Sequence, residues 1–148
     1  MGESRSFGER RDRSLMDKKL ALLKAILADL EESIMVFRAE SGRSQELENQ
    51  LRRSLISSFS QTIESVWRFI KFIARTEYKE MLEYPLDCFK FAFRRGWVPD
   101  EDMWKDILEL RNTSTHVYSK ITSKKYTKEI LDTYYPEIKR LIEVLENA

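Results

Sequence analysis

The sequence predicts an all-α chain, an antiparallel helical bundle of four to five helices, and three observations carry that expectation. Only four Gly and three Pro occur in 148 residues, whereas a sandwich or barrel needs a turn about every 8 to 12 residues, mostly supplied by those two types. Apolar residues recur at steps of three and four over long stretches, the period of one helix face. The breaks between these stretches are short, which favours antiparallel neighbours. With 42% hydrophobic residues, the chain has enough apolar side chain to fill one core.

The first 15 residues, MGESRSFGERRDRSL, hold four arginines among three acids and almost no apolar side chain. A flexible basic arm is expected over 1–15 and the helical domain over 16–148. The arm has two readings, an RNA-touching extension or a solvated tail. From Asp17 onward, Leu20, Leu23, Leu27, Leu30, Ile34 and Phe37 fall on one stripe, and Ser41-Gly42 is the expected stop. A second stripe runs from Leu47 through Leu51, Leu55, Phe59, Ile63, Val66 and Ile70 to Ile73 without Gly or Pro; this predicts a long helix, about 40 Å at 1.5 Å per residue.

Pro85 suits the first turn of a third, short helix with Leu86, Phe89 and Phe93 on one face, and Gly96 is its plausible C-terminal stop. Pro99 followed by Asp100, Glu101 and Asp102 opens a fourth, with acids at its positive end. Trp104, Ile107, Leu108 and Arg111 continue it until Thr113, Ser114 and Thr115 weaken it. Ser123 is a candidate cap for the last helical region, where Tyr126, Ile130, Tyr134, Ile138, Leu141 and Leu145 share a face. Pro136 is expected to kink or divide that region.

Charge and composition narrow the chemistry. The 26 basic and 25 acidic side chains leave a formal charge of +1, so no global field selects a polyanion and any nucleic-acid contact must be local. Cys88 is the single cysteine, which excludes an internal disulfide; it reads as a small packed residue rather than a nucleophile. No apolar run approaches the roughly 20 residues that cross a bilayer, and no signal-peptide pattern is visible. A cytoplasmic protein without membrane contact is the expectation. One His and one Cys cannot assemble a zinc site in one chain. Gly2, Gly8, Gly42 and Gly96 are too scattered to cradle a nucleotide, so neither metal nor cofactor is expected.

The lone histidine lies in the octet Arg111-Asn112-Thr113-Ser114-Thr115-His116-Val117-Tyr118. An imidazole moves protons near neutral pH, and a guanidinium grips phosphate with a planar fork. Such a pair suits RNA cleavage without metal, in which a base takes the 2′-OH proton and a cation steadies the charge building on phosphorus oxygens. On an ideal helix five residues rotate about 500°, leaving Arg111 and His116 about 140° apart. A deformed helix or a second protomer would be needed to bring them together; a purely structural role for both is the alternative. Downstream, Lys120, Lys124, Lys125 and Lys128 lie within ten residues free of acids. They are candidate RNA contacts or simply a solvated face. Tyr118 and Tyr126 could stack on a base or pack, and Trp67, Trp97 and Trp104 are core or interface candidates.

The octet RNTSTHVY, the segment GWVPDEDMWKDILELRN before it and SSFSQTIESVWRFIK together resemble the HEPN toxins of HEPN/MNT toxin–antitoxin modules, the HepT group. These proteins have also been described as nucleotidyltransferase substrate-binding subunits. The most specific element is Arg, a polar residue, three further residues, His, any residue and Tyr. Phe59, Thr62, Glu64 and Trp67, Pro85 and the Gly96 turn leading to Trp104 support it. The chain departs from the family pattern at Ser58-Phe59-Ser60, where Arg-Phe-Glu is common, and at Gln61, where an aromatic is common. The resemblance covers about Asp17 to Ala148.

The resemblance implies a HEPN-like bundle that forms a homodimer and acts as the metal-independent endoribonuclease of a type VII-like toxin–antitoxin module. Arg111 and His116 would be catalytic, Asn112 would support them by hydrogen bonding, and the product would carry a cyclic phosphate. It also implies a partner, a minimal nucleotidyltransferase (MNT) antitoxin that transfers AMP to a tyrosine, here Tyr118. The added negative charge would repel RNA phosphate. Two other readings stand beside this one. The chain could be a non-catalytic substrate-binding or regulatory subunit of a separately encoded nucleotidyltransferase, or a bundle whose exposed face merely assembles with other helices.

Overall fold

The computed structural model describes residues 7–113 and 120–148, and the side chains of 13–111 and 124–148. Helices α1 (Phe7–Glu40) and α2 (Gln45–Tyr78), 34 residues each, form a long hairpin. Helices α3 (Pro85–Arg94) and α4 (Glu101–Thr113) follow, then α5 (Lys120–Glu129), a π-helical segment (Ile130–Tyr134) and α6 (Tyr135–Glu146). No strand occurs among the described residues. The described residues form an all-α bundle.

The α1–α2 hairpin exists because two apolar stripes face each other. Leu23, Leu27, Leu30, Ile34 and Phe37 are buried on α1, and Leu55, Phe59, Ile63, Val66, Ile70 and Ile73 on α2, as their three- and four-residue steps require. Ser44 starts α2: its backbone is extended, and its hydroxyl accepts from the Leu47 N–H at 3.1 Å, satisfying an otherwise orphaned donor. Lys79 ends α2 in the left-handed region at φ 56°, and the Glu80 N–H closes on the Ala74 carbonyl at 2.9 Å. This is a Schellman closure made by lysine instead of the usual glycine.

α1 also begins earlier than the apolar pattern. It starts at Phe7 and so runs through much of the segment expected as an arm. Residues 13–15 are exposed; helix propagates outward from a packed stripe because each added residue closes one more backbone hydrogen bond on an existing nucleus.

α3 and α4 pack against α2 and against each other, with aromatic contacts between them. Phe89 and Trp104, both fully buried, stack with centroids 4.4 Å apart at 16°. Phe93, expected on the buried face, is 43% exposed; Cys88, Phe89, Phe91 and Ala92 make that face instead. Gly96 adopts φ 75°, which lets the Trp97 N–H return to the Ala92 carbonyl at 2.9 Å. Asp100 caps α4 by accepting from the Met103 N–H at 3.2 Å.

Lys24 pairs with Glu146 and Tyr135 with Glu31, so α6 runs antiparallel to α1. Pro136 divides the last helical region as its chemistry demands. It lacks the N–H that an α-helix would use and its ring crowds the turn before it; the backbone widens into the π segment there, with the Tyr135 N–H donating to the Ile130 carbonyl. Ser123 is not the cap. It lies inside α5, whose described part opens at Lys120.

Candidate functional site

Helix α4 carries a buried face of Trp104, Ile107, Leu108 and Leu110, which presses it against α2 and α3. Arg111 follows on the last turn of α4, and its side chain is 21% exposed. Its Nη1 donates to Glu64 Oε2 across the α2–α4 boundary. The same oxygen accepts from the Trp67 indole N–H at 3.0 Å, and the other carboxylate oxygen lies 3.0 Å from the Arg68 guanidinium. One carboxylate therefore gathers two guanidinium groups and an indole, fixing Arg111 against α2 by charge-assisted hydrogen bonds.

Neighbouring residues of α2 and the π segment are buried and hydrogen-bonded. Thr62 is fully buried, with its hydroxyl donating to the Ser58 carbonyl at 2.8 Å. Phe59 is fully buried and stacks on Tyr134 with centroids 6.2 Å apart. The Tyr134 hydroxyl donates to Glu129 Oε2 at 2.8 Å. Burial, then that hydrogen bond, pushes its phenol above the ordinary range, so it remains a donor.

The structure brings Arg111 together with Glu64 and Trp67. Asn112 follows Arg111 in α4, but its side chain lies outside the described residues, as do the whole of His116 and Tyr118 and the side chain of Lys120. Lys124 and Lys125 are exposed on α5, a helix that packs on α2 as α4 does. The chain from Arg111 to Lys120 thus joins two helices that rest on the same long helix. Among the described residues, no three His, Cys, Asp or Glu side chains cluster as a metal site requires, and no helix is long and apolar enough to cross a membrane.

Two features escaped the sequence reading. Glu64 stands there without a role, because a lone acid 47 residues before an arginine carries no pairing signal. A cationic cavity on α2 was also missed, although Arg68, Lys71 and Arg75 at steps of three and four could have shown it as one helix face.

The tyrosine of α6 has a structural role. The Tyr135 hydroxyl bonds Glu31 on α1, with Lys139 3.8 Å from the same carboxylate. Glu137 accepts from the Trp104 indole at 3.3 Å and pairs with Arg140 at 2.6 Å, while Arg140 also donates to the Trp97 carbonyl at 2.8 Å. These bonds lock α6 to the helices that present Arg111.

Residues 18–147 match the family described as nucleotidyltransferase substrate binding protein like. A chain in a crystal structure of a mutant MntA-HpeT toxin–antitoxin superposes with a TM-score of 0.70 at 16% identity, covering 91% of this chain and 99% of that one; likeness at this identity concerns the fold. No curated protein matches the chain.

Proposed function

The chain belongs to the nucleotidyltransferase substrate-binding-protein-like family, and from that membership we propose that it is the toxin of a HEPN/MNT toxin–antitoxin module, a metal-independent endoribonuclease. The observation that carries the reading is Arg111 held by Glu64 on the last turn of α4, five residues before the lone histidine. The fold likeness to a chain of a toxin–antitoxin structure and the RNTSTHVY octet support it.

In the proposed reaction His116 accepts the 2′-OH proton as the 2′ oxygen attacks the adjacent phosphorus. The bond from phosphorus to the 5′ oxygen breaks, and a protonated imidazole gives that oxygen its proton. The products are a 2′,3′-cyclic phosphate and a 5′-hydroxyl, with no water consumed in this step. Arg111 faces the phosphoryl oxygens, where charge accumulates as the pentavalent arrangement forms. Asn112 adds a hydrogen bond, and Lys120, Lys124 and Lys125 hold flanking phosphates. A homodimer supplies two such segments to one cleft, which answers the angular separation of Arg111 and His116. The partner is a minimal nucleotidyltransferase antitoxin that transfers AMP from ATP to the Tyr118 oxygen, the bond between the α and β phosphates breaking to release pyrophosphate and the phenol losing its proton, and so places negative charge beside the cleft. The protein works in the cytoplasm, where both RNA and ATP are present.

The test is incubation of the purified protein with total RNA in excess chelator. Cleavage to cyclic-phosphate ends, abolished in both Arg111→Ala and His116→Ala, is the expected result; undiminished cleavage by His116→Ala sinks the assigned chemistry. The family description itself favours a second reading, a non-catalytic subunit that presents substrate to, or regulates, a nucleotidyltransferase. Absence of any cleavage, with a folded protein that still binds the nucleotidyltransferase, would select it.

A further inference from the structure

On α2, one helical turn beyond Glu64, a cavity of about 330 Å³ opens between α1, α2 and the connection to α3. Four cations line it: Arg68, Lys71 and Arg75 from α2 and Lys19 from α1. All four are exposed, and no carboxylate contributes to the lining. The wall between them is apolar, formed by Phe72, Met81 and Leu82. Lys19 Nζ lies 5.0 Å and the Arg75 guanidinium 5.4 Å from the centroid of the buried Phe72 ring, so the ring holds both cations in place through its π face. Among the described residues, neither Lys19, Lys71 nor Arg75 pairs with an acid; only Arg68 does, through Glu64.

Concentrating positive charge in this way is unfavourable in the absence of an anion. The volume matches the small end of ligand-binding cavities, roughly 300 Å³ and above. Its chemistry, cations around an apolar wall, complements a phosphate attached to a flat, weakly polar ring. Arg68 and Arg75 are seven residues apart, about 10 Å along the helix, so the row spans more than one phosphate of an extended strand. Arg68 also joins the row to Arg111, because both guanidinium groups sit on the two oxygens of Glu64.

We infer that the cavity lined by Lys19, Arg68, Lys71 and Arg75 binds a nucleotide unit of single-stranded RNA, with its phosphates on the cations and its base against Met81 and Leu82. It extends the strand-binding surface away from Arg111 along α2. This assignment rests on the nuclease reading for the identity of the strand as substrate, but binding at the cavity does not require cleavage.

The experiment uses the full chain and a fluorescein-labelled oligo(A) carrying 2′-O-methyl groups, which cannot undergo 2′-OH attack, with affinity read by anisotropy across a salt series. The double variant Lys71→Gln/Arg75→Gln is expected to bind at least about tenfold more weakly at low salt, with a slope of log affinity against log salt shallower by about 1.4, two contacts at about 0.7 each. Lys19→Gln, on the other wall, is expected to weaken binding in the same direction. Melting curves check that the exposed substitutions leave the fold intact. Competition with AMP identifies the source of the nucleotide: a strand that AMP fails to displace occupies the cavity as a polymer, and displacement that disappears in the double variant marks a free-nucleotide site of the same chemistry.

Unchanged affinity and salt slope in the double variant would overturn the inference, as would loss of nucleotidyltransferase capture with RNA binding intact. Binding that depends on Lys71 and Arg75 in a protein that leaves RNA uncut supports the cavity and removes the nuclease. Cleavage by a protein whose double variant binds RNA normally does the reverse.

Discussion

Arg111 and Glu64, 47 residues apart in sequence, form an ion pair that fastens the last turn of α4 to the middle of α2. A guanidinium on a long flexible stem loses rotamer freedom when it grips a phosphate. Here part of that ordering is already done, because Glu64 is itself held by Trp67 and Arg68. In the proposed reaction Glu64 is thus a positioning residue, one that acts through Arg111.

Replacing the carboxylate tests this role. Glu64→Gln keeps an acceptor for Trp67 but loses the charge that both arginines share. Cleavage is expected to fall about 10- to 100-fold in kcat with KM little altered, since a displacement of about 1 Å in a charge-stabilising group costs that much. Stability should drop by about 1 kcal/mol or less, the range for a partly exposed pair. Glu64→Asp should recover part of the rate. A lower melting temperature with an unchanged kcat would make Glu64 merely structural.

Tyr118 supplies the second prediction. Co-expression with the nucleotidyltransferase partner is expected to add AMP-sized masses to the chain and to suppress RNA cleavage together. Tyr118→Phe should carry no such mass and should remain active beside the partner, because it lacks the phenolic oxygen proposed as the acceptor. Intact-mass spectrometry of both proteins decides it: equal AMP addition to the phenylalanine variant would move the acceptor elsewhere.

The stripes of α1 and α2 were legible because period 3.6 is a local property, and burial of Leu30, Ile63 and Ile70 follows from it directly. Gly96 and Pro85 likewise act on their own backbone. Phe93 was misplaced because the buried face of α3 is turned toward Phe91, which packs edge-on against Tyr78 of α2 and Trp97, contacts from outside the helix. Ser123 failed as a cap because helix formation from Lys120 onward overrides the preference of a single hydroxyl. In the site, Arg111 was visible by type and motif. Its carboxylate partner was not, since pairing across α2 and α4 is set by how the helices pack. His116 and Tyr118 remain readings of the sequence.

Trp104 tests the platform beneath α4. Its ring is fully buried on Phe89 and its indole donates to Glu137. Trp104→Ala leaves a large cavity and is expected to cost about 3–5 kcal/mol. Trp104→Phe keeps an aromatic stack but removes the donor, for roughly 1–2 kcal/mol. Denaturant melts measure both. An alanine variant within about 1 kcal/mol of wild type would mean that α4 is not anchored through this ring, and Arg111 would need another support.

Alkaline pH should loosen the fold in two steps. Cys88 is fully buried in α3. Burial pushes its thiol from the ordinary value of 9.0 up to about 11, with Lys71 opposing the rise and Asp87 adding to it. A folded value above the unfolded one means that the neutral thiol stabilises the native state fully below pH 9 and that this contribution is lost as pH climbs through 11. Tyr135 repeats the pattern higher, from 10.0 to about 12, through burial and then its bond to Glu31. The first step is therefore expected between about pH 9 and 11 and the second between about 10 and 12, the thiol contributing on the order of 3 kcal/mol at about 1.4 per unit. Cys88→Ala has no thiol to ionise, so its stability should fall less steeply than that of wild type between about pH 9 and 11. Tyr135→Phe should make the second decline shallower, the raised phenol of Tyr134 contributing the rest. Denaturant melts taken across this range compare the slopes, and parallel decline of wild type and Cys88→Ala between about pH 9 and 11 would show that the thiol ionises without cost to the fold.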